Sequence, residues 1–383
     1  MINITSEQDC CGCTACSAIC PQRAITMRPN EQGFAYPFID LNKCIDCNLC
    51  NKVCHFQNTI NHKPENNSPT YYAVRHKEEN TLMESQSGGI FTALSDYILS
   101  KNGVIYGAGY GDNFEVRHKR ACTQEQRNEL RGSKYVQSDL TGIFIQIKKD
   151  LEQGHYVLFS GTPCQTAGLK SFIKQKLTNK LYLIDIICHG VPSPQYWQDY
   201  LKIVKGKIGE FKTINFRDKK SYGWNTKYGT FTLLNGVKKK MPYPFYMDIL
   251  FRESCNKCPH TNLQRPSDIT IGDYWGLDRT KINFSSDNKG CSLVICNTLK
   301  GRKLFQEIKS GVYYKEVTIN ECIQPNLTSP SAKHPKHSTF INCYKEKGFE
   351  YAMYKTYCWG WKATVKKKIR KFVNILRMKK EFR

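Results

Sequence analysis

Apolar residues recur along the chain in two rhythms. Tyr156-Val157-Leu158-Phe159-Ser160 and Leu181-Tyr182-Leu183-Ile184-Asp185-Ile186-Ile187 are short, nearly continuous apolar runs, the pattern of strands buried on both faces. Each ends in a loop, Gly161-Thr162-Pro163-Cys164 or Cys188-His189-Gly190-Val191-Pro192-Ser193-Pro194, that leads into a helix, the first from about Gln165. Strand, helix, strand in this form predicts a parallel sheet. Tyr71–Arg75, Gly103–Tyr110 and Phe114–Lys119 read as earlier strands, and Ser267–Gly272 and Gly290–Asn297 as later ones. Helical spacing puts Ile90, Phe91, Leu94, Tyr97 and Ile98 on one face, and turns Ile143, Phe144, Ile147 and Leu151 of Leu140–Gln153 inward. Asn235-Gly236 within Thr226–Met241 marks a β-hairpin. Near the start, Ala24–Arg28 and Phe34–Phe38 read as two strands around a Pro29–Gly33 turn.

Composition bounds the class. A chain of 383 residues that is 40% hydrophobic can build two or three cored domains, and 12% aromatic content excludes a disordered chain. No stretch approaches 18 uncharged apolar residues, so no membrane-spanning helix is expected. Met1–Asp9 lacks a basic region and an apolar run, so no signal peptide is read there and a cytoplasmic location is expected. In a reducing compartment 19 cysteines point to metal rather than disulfides.

Eight of them form two copies of one spacing. Cys10, Cys13, Cys16 and Cys20 follow C-x2-C-x2-C-x3-C with Pro21 next, and Cys44, Cys47, Cys50 and Cys54 repeat it with His55 in place of the proline. This is the bacterial-type ferredoxin signature for two [4Fe-4S] clusters, in which the fourth cysteine of each run serves the other cluster. Cys10, Cys13, Cys16 and Cys54 are expected to hold one cluster, and Cys44, Cys47, Cys50 and Cys20 the other. Zinc also uses C-x2-C pairs, but as two pairs per ion, which two uninterrupted four-cysteine runs do not fit. Cys11 breaks the spacing and is read as a packing residue, with Cys122, Cys291, Cys296, Cys322, Cys343 and Cys358.

Asn58–Thr70, rich in Asn, Pro and Ser, reads as a linker, and no repeat beyond the cysteine duplication is visible. Beyond it, Cys164 and Cys188 each sit just past the carboxyl end of a predicted parallel strand, along the edge where open α/β sheets place ligands. Cys255-Asn256-Lys257-Cys258-Pro259 adds another C-x2-C. These four thiols suit a third [4Fe-4S] cluster; zinc, or simple burial of Cys164 and Cys188, are the other readings. Ser87-Gly88-Gly89 before a helix suits either a phosphate or a plain serine cap. Lys134, in Gly132-Ser133-Lys134-Tyr135, is either a cation for an anionic cofactor or surface charge, and Asp273-Tyr274-Trp275-Gly276 either a site element or a packed turn.

Together these segments resemble the coenzyme F-420 hydrogenase/dehydrogenase beta-subunit family, in versions with a fused N-terminal ferredoxin domain. Ser85–Leu94, Gly132–Ser138, Phe159–Gln165, Cys188–Pro192, Cys255–Pro259 and Asp268–Gly276 carry the resemblance. It implies an α+β / α/β multidomain protein: a small ferredoxin-like 2[4Fe-4S] domain at 1–60, then an α/β flavin- and cluster-binding region. That region divides into 71–153 and 154–345, and a basic tail follows at 346–383. The resemblance strengthens the third cluster at Cys164, Cys188, Cys255 and Cys258. It assigns FAD to Ser87, Gly88, Gly89 and Lys134, with Thr162 and Pro163 added from their place beside Cys164. The implied activity is an iron–sulfur, flavin-dependent oxidoreductase. Clusters carry one electron and hydride chemistry two, so a flavin would convert between them. The electron acceptor, a deazaflavin or another reducible compound, is not implied. His189 and His260 stand near expected ligands, as proton donors or as structural histidines.

Of the formal charge of +24, the segment Lys362–Arg383 supplies ten Lys/Arg against one acid. As a helix it would align Val365, Ile369, Phe372 and Leu376, which suits an anionic membrane surface or an acidic partner; a frayed terminus is the other reading. An electron-donor protein, such as a ferredoxin or a dehydrogenase or hydrogenase subunit, is the expected partner. A non-catalytic relay subunit is the second functional reading. A nucleic-acid-binding iron–sulfur protein is a remote third, since no nucleic-acid motif accompanies the charge.

Overall fold

The computed structural model describes residues 1–4, 6–58, 68–226, 228–241, 248–277 and 287–357. Residues 358–383, which include most of the basic tail and Cys358, lie outside the described residues, as does most of the linker.

The N-terminal module has an internal two-fold pattern. Helices α1 (Ala15–Ile19) and α2 (Leu49–Val53) pack together, and β1 (Ile25–Pro29) pairs antiparallel with β2 (Ala35–Ile39). Each helix begins at a left-handed residue, Thr14 (φ 66°) or Asn48 (φ 58°), the turn that lets a short loop fold back on itself. Ile2, Ile25, Cys16 and Cys50 form its small core.

The body is one eight-stranded sheet, ordered β13-β3-β12-β11-β7-β6-β4-β5. The strands are β3 (Thr70–His76), β4 (Val104–Tyr110), β5 (Val116–Ala121), β6 (Val157–Gly161), β7 (Leu181–Ile186), β11 (Ile269–Asp273), β12 (Ser292–Cys296) and β13 (Val312–Val317). Strands β4, β6, β7 and β11 are mutually parallel, as the apolar runs predict, and the flanking strands are antiparallel. Both 71–153 and 154–345 contribute strands to this sheet.

Alternation explains the layers. Val157 and Phe159 of β6 face one side, against Phe144, Ile147 and Leu151 of α6 (Ile143–Glu152) and Leu169 and Phe172 of α7 (Pro163–Phe172). Leu158 faces the other, against Ile90, Leu94 and Ile98 of α4 (Ile90–Ser100) and Leu304 and Phe305 of α10 (Leu299–Ile308). The predicted inward faces of α4 and α6 are those observed. Helix α6 begins three residues later than Leu140 because Asp139 Oδ1 accepts from Thr141 N–H (2.9 Å) and Gly142 (φ 77°) turns the chain.

A second, three-stranded sheet holds β8 (Phe211–Asn215), β9 (Gly229–Leu233) and β10 (Lys238–Met241), with Asn235-Gly236 turning the β9–β10 hairpin. It packs against α8 (Pro194–Ile208) and α12 (His337–Tyr357) through Trp197, Tyr200, Phe231 and Phe349. Short helices α3 (Glu79–Glu84), α5 (Gln124–Asn128), α9 (Lys219–Tyr222) and α11 (Ile319–Cys322) complete the connections.

Candidate metal centres and cofactor site

The two cysteine runs fold as short loops that end in α1 and α2, and main-chain donors converge on their sulfurs. Ile2 N–H donates to Cys50 Sγ (3.2 Å), Gly12 N–H to Cys10 Sγ (3.4 Å) and Ala24 N–H to Cys20 Sγ (3.3 Å). Donors aimed at sulfur are what a ligating thiolate requires. A cavity is lined by Cys20, Cys44, Cys47 and Cys50 together, with Ile39 and Met1 at its wall. The first run's fourth cysteine thus stands with the second run's first three. Reciprocally, Cys10, Cys13 and Cys54 lie within electrostatic reach of Cys16.

The third set converges as well. Gly161, at the end of β6, is in register with Asp185 of β7, so the following loops bring Cys164 and Cys188 onto one sheet edge. Cys164, Cys255 and Cys258 all lie within electrostatic reach of Cys188. Burial pushes the Cys188 thiol well up and those of Cys255 and Cys258 to about 12, whereas hydrogen bonding from Cys11 brings Cys164 down to about 7. Buried thiols without a cation resist ionisation; cluster iron would supply the missing positive charge. Arg265 braces this loop: Nη2 pairs with Asp185 Oδ1 (2.9 Å) and donates to Ile186 O (3.0 Å), while Nη1 donates to His260 O (2.6 Å).

Zinc–sulfur bonds of about 2.3 Å put tetrahedral sulfurs about 3.8 Å apart, whereas thiolates capping different irons of a cubane stand wider. Among the described residues, the group of metal-capable side chains with ligand atoms all within 4.8 Å of one another is Cys11, Cys13 and His55.

The module docks on the body by close approaches. A Cβ on Gly168 of α7 would lie 2.8 Å from Cys13 Sγ, so glycine there admits the cysteine loop. Arg252, fully buried, donates from Nε to Cys10 O (2.8 Å), from Nη2 to Ala35 O (3.0 Å) and from Nη1 to Gln137 Oε1 (3.1 Å), with Tyr36 4.2 Å beneath its guanidinium.

The expected flavin residues fall in two places. Gly88 N–H donates to Ser292 Oγ (2.9 Å), Ser87 Oγ donates to Cys291 O (2.6 Å), and Gly89 (φ 87°) begins α4 without a side-chain cap. Ser87 is therefore no N-cap, and the first turn's N–H groups meet no capping side chain. Lys219 of α9 secures the loop, with Nζ donating to Leu82 O, Ser87 O and Lys289 O (2.6–2.8 Å). Lys134 Nζ donates to Glu129 O (3.1 Å) and Arg131 O (2.8 Å), and burial pushes it down to about 7. Arg131 lies within electrostatic reach of Glu78, Glu84 and Asp96, which flank the Ser87–Gly89 loop. Thr162 and Pro163 instead open α7 beside the third thiol set, with Thr162 Oγ1 3.2 Å from Cys164 Sγ.

Asp273-Tyr274-Trp275-Gly276 is a packed turn. Tyr274 is buried, Asp273 pairs with Arg217 and accepts from Trp224 Nε1 (2.8 Å), and half-exposed Trp275 stacks on Trp224 at 4.9 Å. His189 is held by Asp248 Oδ1 (2.7 Å) and Asn326 Oδ1 (3.1 Å). Two packing expectations need correction. Cys122 is exposed, and Cys11, though buried, lies among Cys13, His55 and Cys164 rather than in an apolar core. Sequence reasoning also missed Arg252, Arg265 and Lys219, which carry no local signal; for Cys11, the Cys10-Cys11 doublet and the histidine replacing proline at 55 were the available signals.

Comparison with known proteins places these observations. Residues 9–58 match the model of the 4Fe-4S dicluster domain. Residues 154–321 match that of the C terminus of the coenzyme F420 hydrogenase/dehydrogenase beta subunit. The chain is 21% identical over 247 residues to the F subunit of the F(420)H(2) dehydrogenase of Methanosarcina mazei, covering 56% of this chain and 69% of that protein. A solved chain of the F420-reducing [NiFe] hydrogenase complex from Methanosarcina barkeri is 18% identical, with a TM-score of 0.47, over 75% of this chain and 90% of its own. Among the described residues no helix is long and apolar enough to cross a membrane. The chain thus carries a domain matching the C terminus of the coenzyme F420 hydrogenase/dehydrogenase beta subunit behind a 4Fe-4S dicluster domain.

Proposed function

We propose that this iron–sulfur protein is an oxidoreductase subunit with three [4Fe-4S] clusters and one FAD. Cys10, Cys13, Cys16 and Cys54 would hold the first cluster, Cys20, Cys44, Cys47 and Cys50 the second, and Cys164, Cys188, Cys255 and Cys258 the third. The observation that carries the reading is the grouping of twelve cysteines into three sets, one enclosing a cavity. When bound, the clusters supply one-electron chemistry and the flavin converts it to two-electron chemistry. The chain's own part is to aim main-chain N–H groups at sulfur, to partly bury the first and third sets, and to brace the Cys258–His260 loop through Arg265. The uncapped start of α4 beside Ser87, Gly88 and Gly89 supports the flavin site.

The second set faces outward: Cys47 is exposed, and Phe38, Leu41, Ile45 and Leu49 around it are exposed apolar side chains. This supports a protein electron donor or partner subunit, and the relative from Methanosarcina mazei is itself named as a subunit. Anaerobic reconstitution followed by iron, sulfide and flavin analysis tests the reading. About twelve irons and one FAD per chain are expected; about four irons without flavin would overturn it.

A further inference from the structure

We propose that Cys11, His55 and His260 form a buried hydrogen-bonded bridge that couples the Cys10/Cys13/Cys16/Cys54 set to the Cys164/Cys188/Cys255/Cys258 set and tunes the clusters they hold. The proposal rests on the cluster assignment above. The ligand atoms of Cys11, Cys13 and His55 lie within 4.8 Å of one another, and Cys164, an expected ligand of the other set, lies within electrostatic reach of Cys11. His55 Nε2 lies 3.7 Å from Cys11 Sγ and also reaches Cys13, and its Nδ1 lies 3.1 Å from His260 Nε2. All three bridge residues are no more than 6% exposed. Each adjoins a ligand in sequence: Cys11 follows Cys10, His55 follows Cys54, and His260 stands two residues after Cys258. The second set, on the outer face, has no share in the bridge.

Direction follows from donor accounting. The Cys11 thiol donates to ligand sulfur, so His55 Nε2–H points at sulfur as well. His55 Nδ1 then accepts from His260 Nε2–H. Donors aimed at cluster sulfurs favour the reduced state, which carries one more negative charge, and are a principal control of cluster potential. Cys11, His55 and His260 are thus positioning residues that act through the ligands.

The test is an EPR-monitored redox titration of the full chain, reconstituted anaerobically. Cys11→Ala and His55→Leu should each shift the reduction equilibrium of an adjoining cluster about tenfold toward the oxidised form, 59 mV for a one-electron couple. His55→Gln and Cys11→Ser retain a donor and should stay within about twofold of wild type, which separates hydrogen bonding from damage. If a truncated variant fails to load iron, these conservative variants still decide: a tenfold shift in them would overturn the bridge. Wild-type protein with about twelve irons, and no shift beyond twofold in any loaded variant, would also overturn it. About eight irons in wild type would instead sink the third cluster, and with it the cluster reading on which the bridge rests.

Discussion

Replacing Arg252 with methionine should loosen the N-terminal module from the body without unfolding either. The guanidinium gives up hydrogen bonds to Cys10 O, Ala35 O and Gln137 Oε1, and its stack on Tyr36. Two of these acceptors belong to the module, and each buried acceptor left unmatched costs about 1–3 kcal/mol. Methionine refills much of the volume, and the cost of burying a cation disappears, which offsets part of the loss. The net expectation is about 3 kcal/mol, roughly 150-fold in the docking equilibrium. Hydrogen exchange reads this directly. Amides at Cys10–Gly12 and at Gln137, whose side chain donates to Cys11 O (2.9 Å), should exchange about a hundredfold faster. Strands β6 and β7 should keep their protection. Lysine at 252 should fall between, because a single ammonium cannot span three acceptors. Arg252→Met with Cys10–Gly12 protection within about threefold of wild type would refute the reasoning.

Two further outcomes test other parts of the structure. Cys20→Ala should cost about four irons, and adding Cys47→Ala should cost no more, whereas adding Cys13→Ala should cost about eight; a second loss on adding Cys47→Ala would show that the runs do not exchange their fourth cysteines. Burial against Phe159 pushes His118 down to about 4, opposed by its hydrogen bond to Ser160 O. The unfolded chain takes up that proton from about pH 6.5 downward, so the stability held in full above this pH falls as the pH drops toward 4. Between pH 7.5 and pH 5 the loss is about 2 kcal/mol; His118→Gln should remove it from the urea-unfolding difference, and an unchanged pH slope would contradict the account.

Much of the sheet was legible because its central strands are apolar on both faces. Such strands announce themselves as runs, and the loop after each placed Cys164 and Cys188 on one edge. Strands β8 and β13 were not legible. In β13 only Val312 and Val317 are buried, so Tyr313-Tyr314-Lys315-Glu316 carries no apolar run, and β13 is defined by pairing with a strand some 240 residues earlier, Val312 opposite His76. The two ferredoxin-type cysteine runs were readable from spacing, whereas the residues that join this module to the body were not. Arg252, Arg265 and Lys219 act on carbonyls that only the folded chain brings within reach, and no local pattern distinguishes them from surface cations. Cys11 was misread for a related reason: its neighbours come from three separate segments.

The pairing of β3 between β12 and β13 has a consequence for biogenesis. Strand β3 gains its outer neighbours only when residues near 317 have been made, so the body closes late in translation. All the N-terminal ligands lie within the first 54 residues and are available long before that. Once the body closes, Gly168 and Arg252 hold it over Cys13 and Cys10. Iron and sulfide delivery to the inner site therefore has a natural window during synthesis, while the nascent module still stands alone.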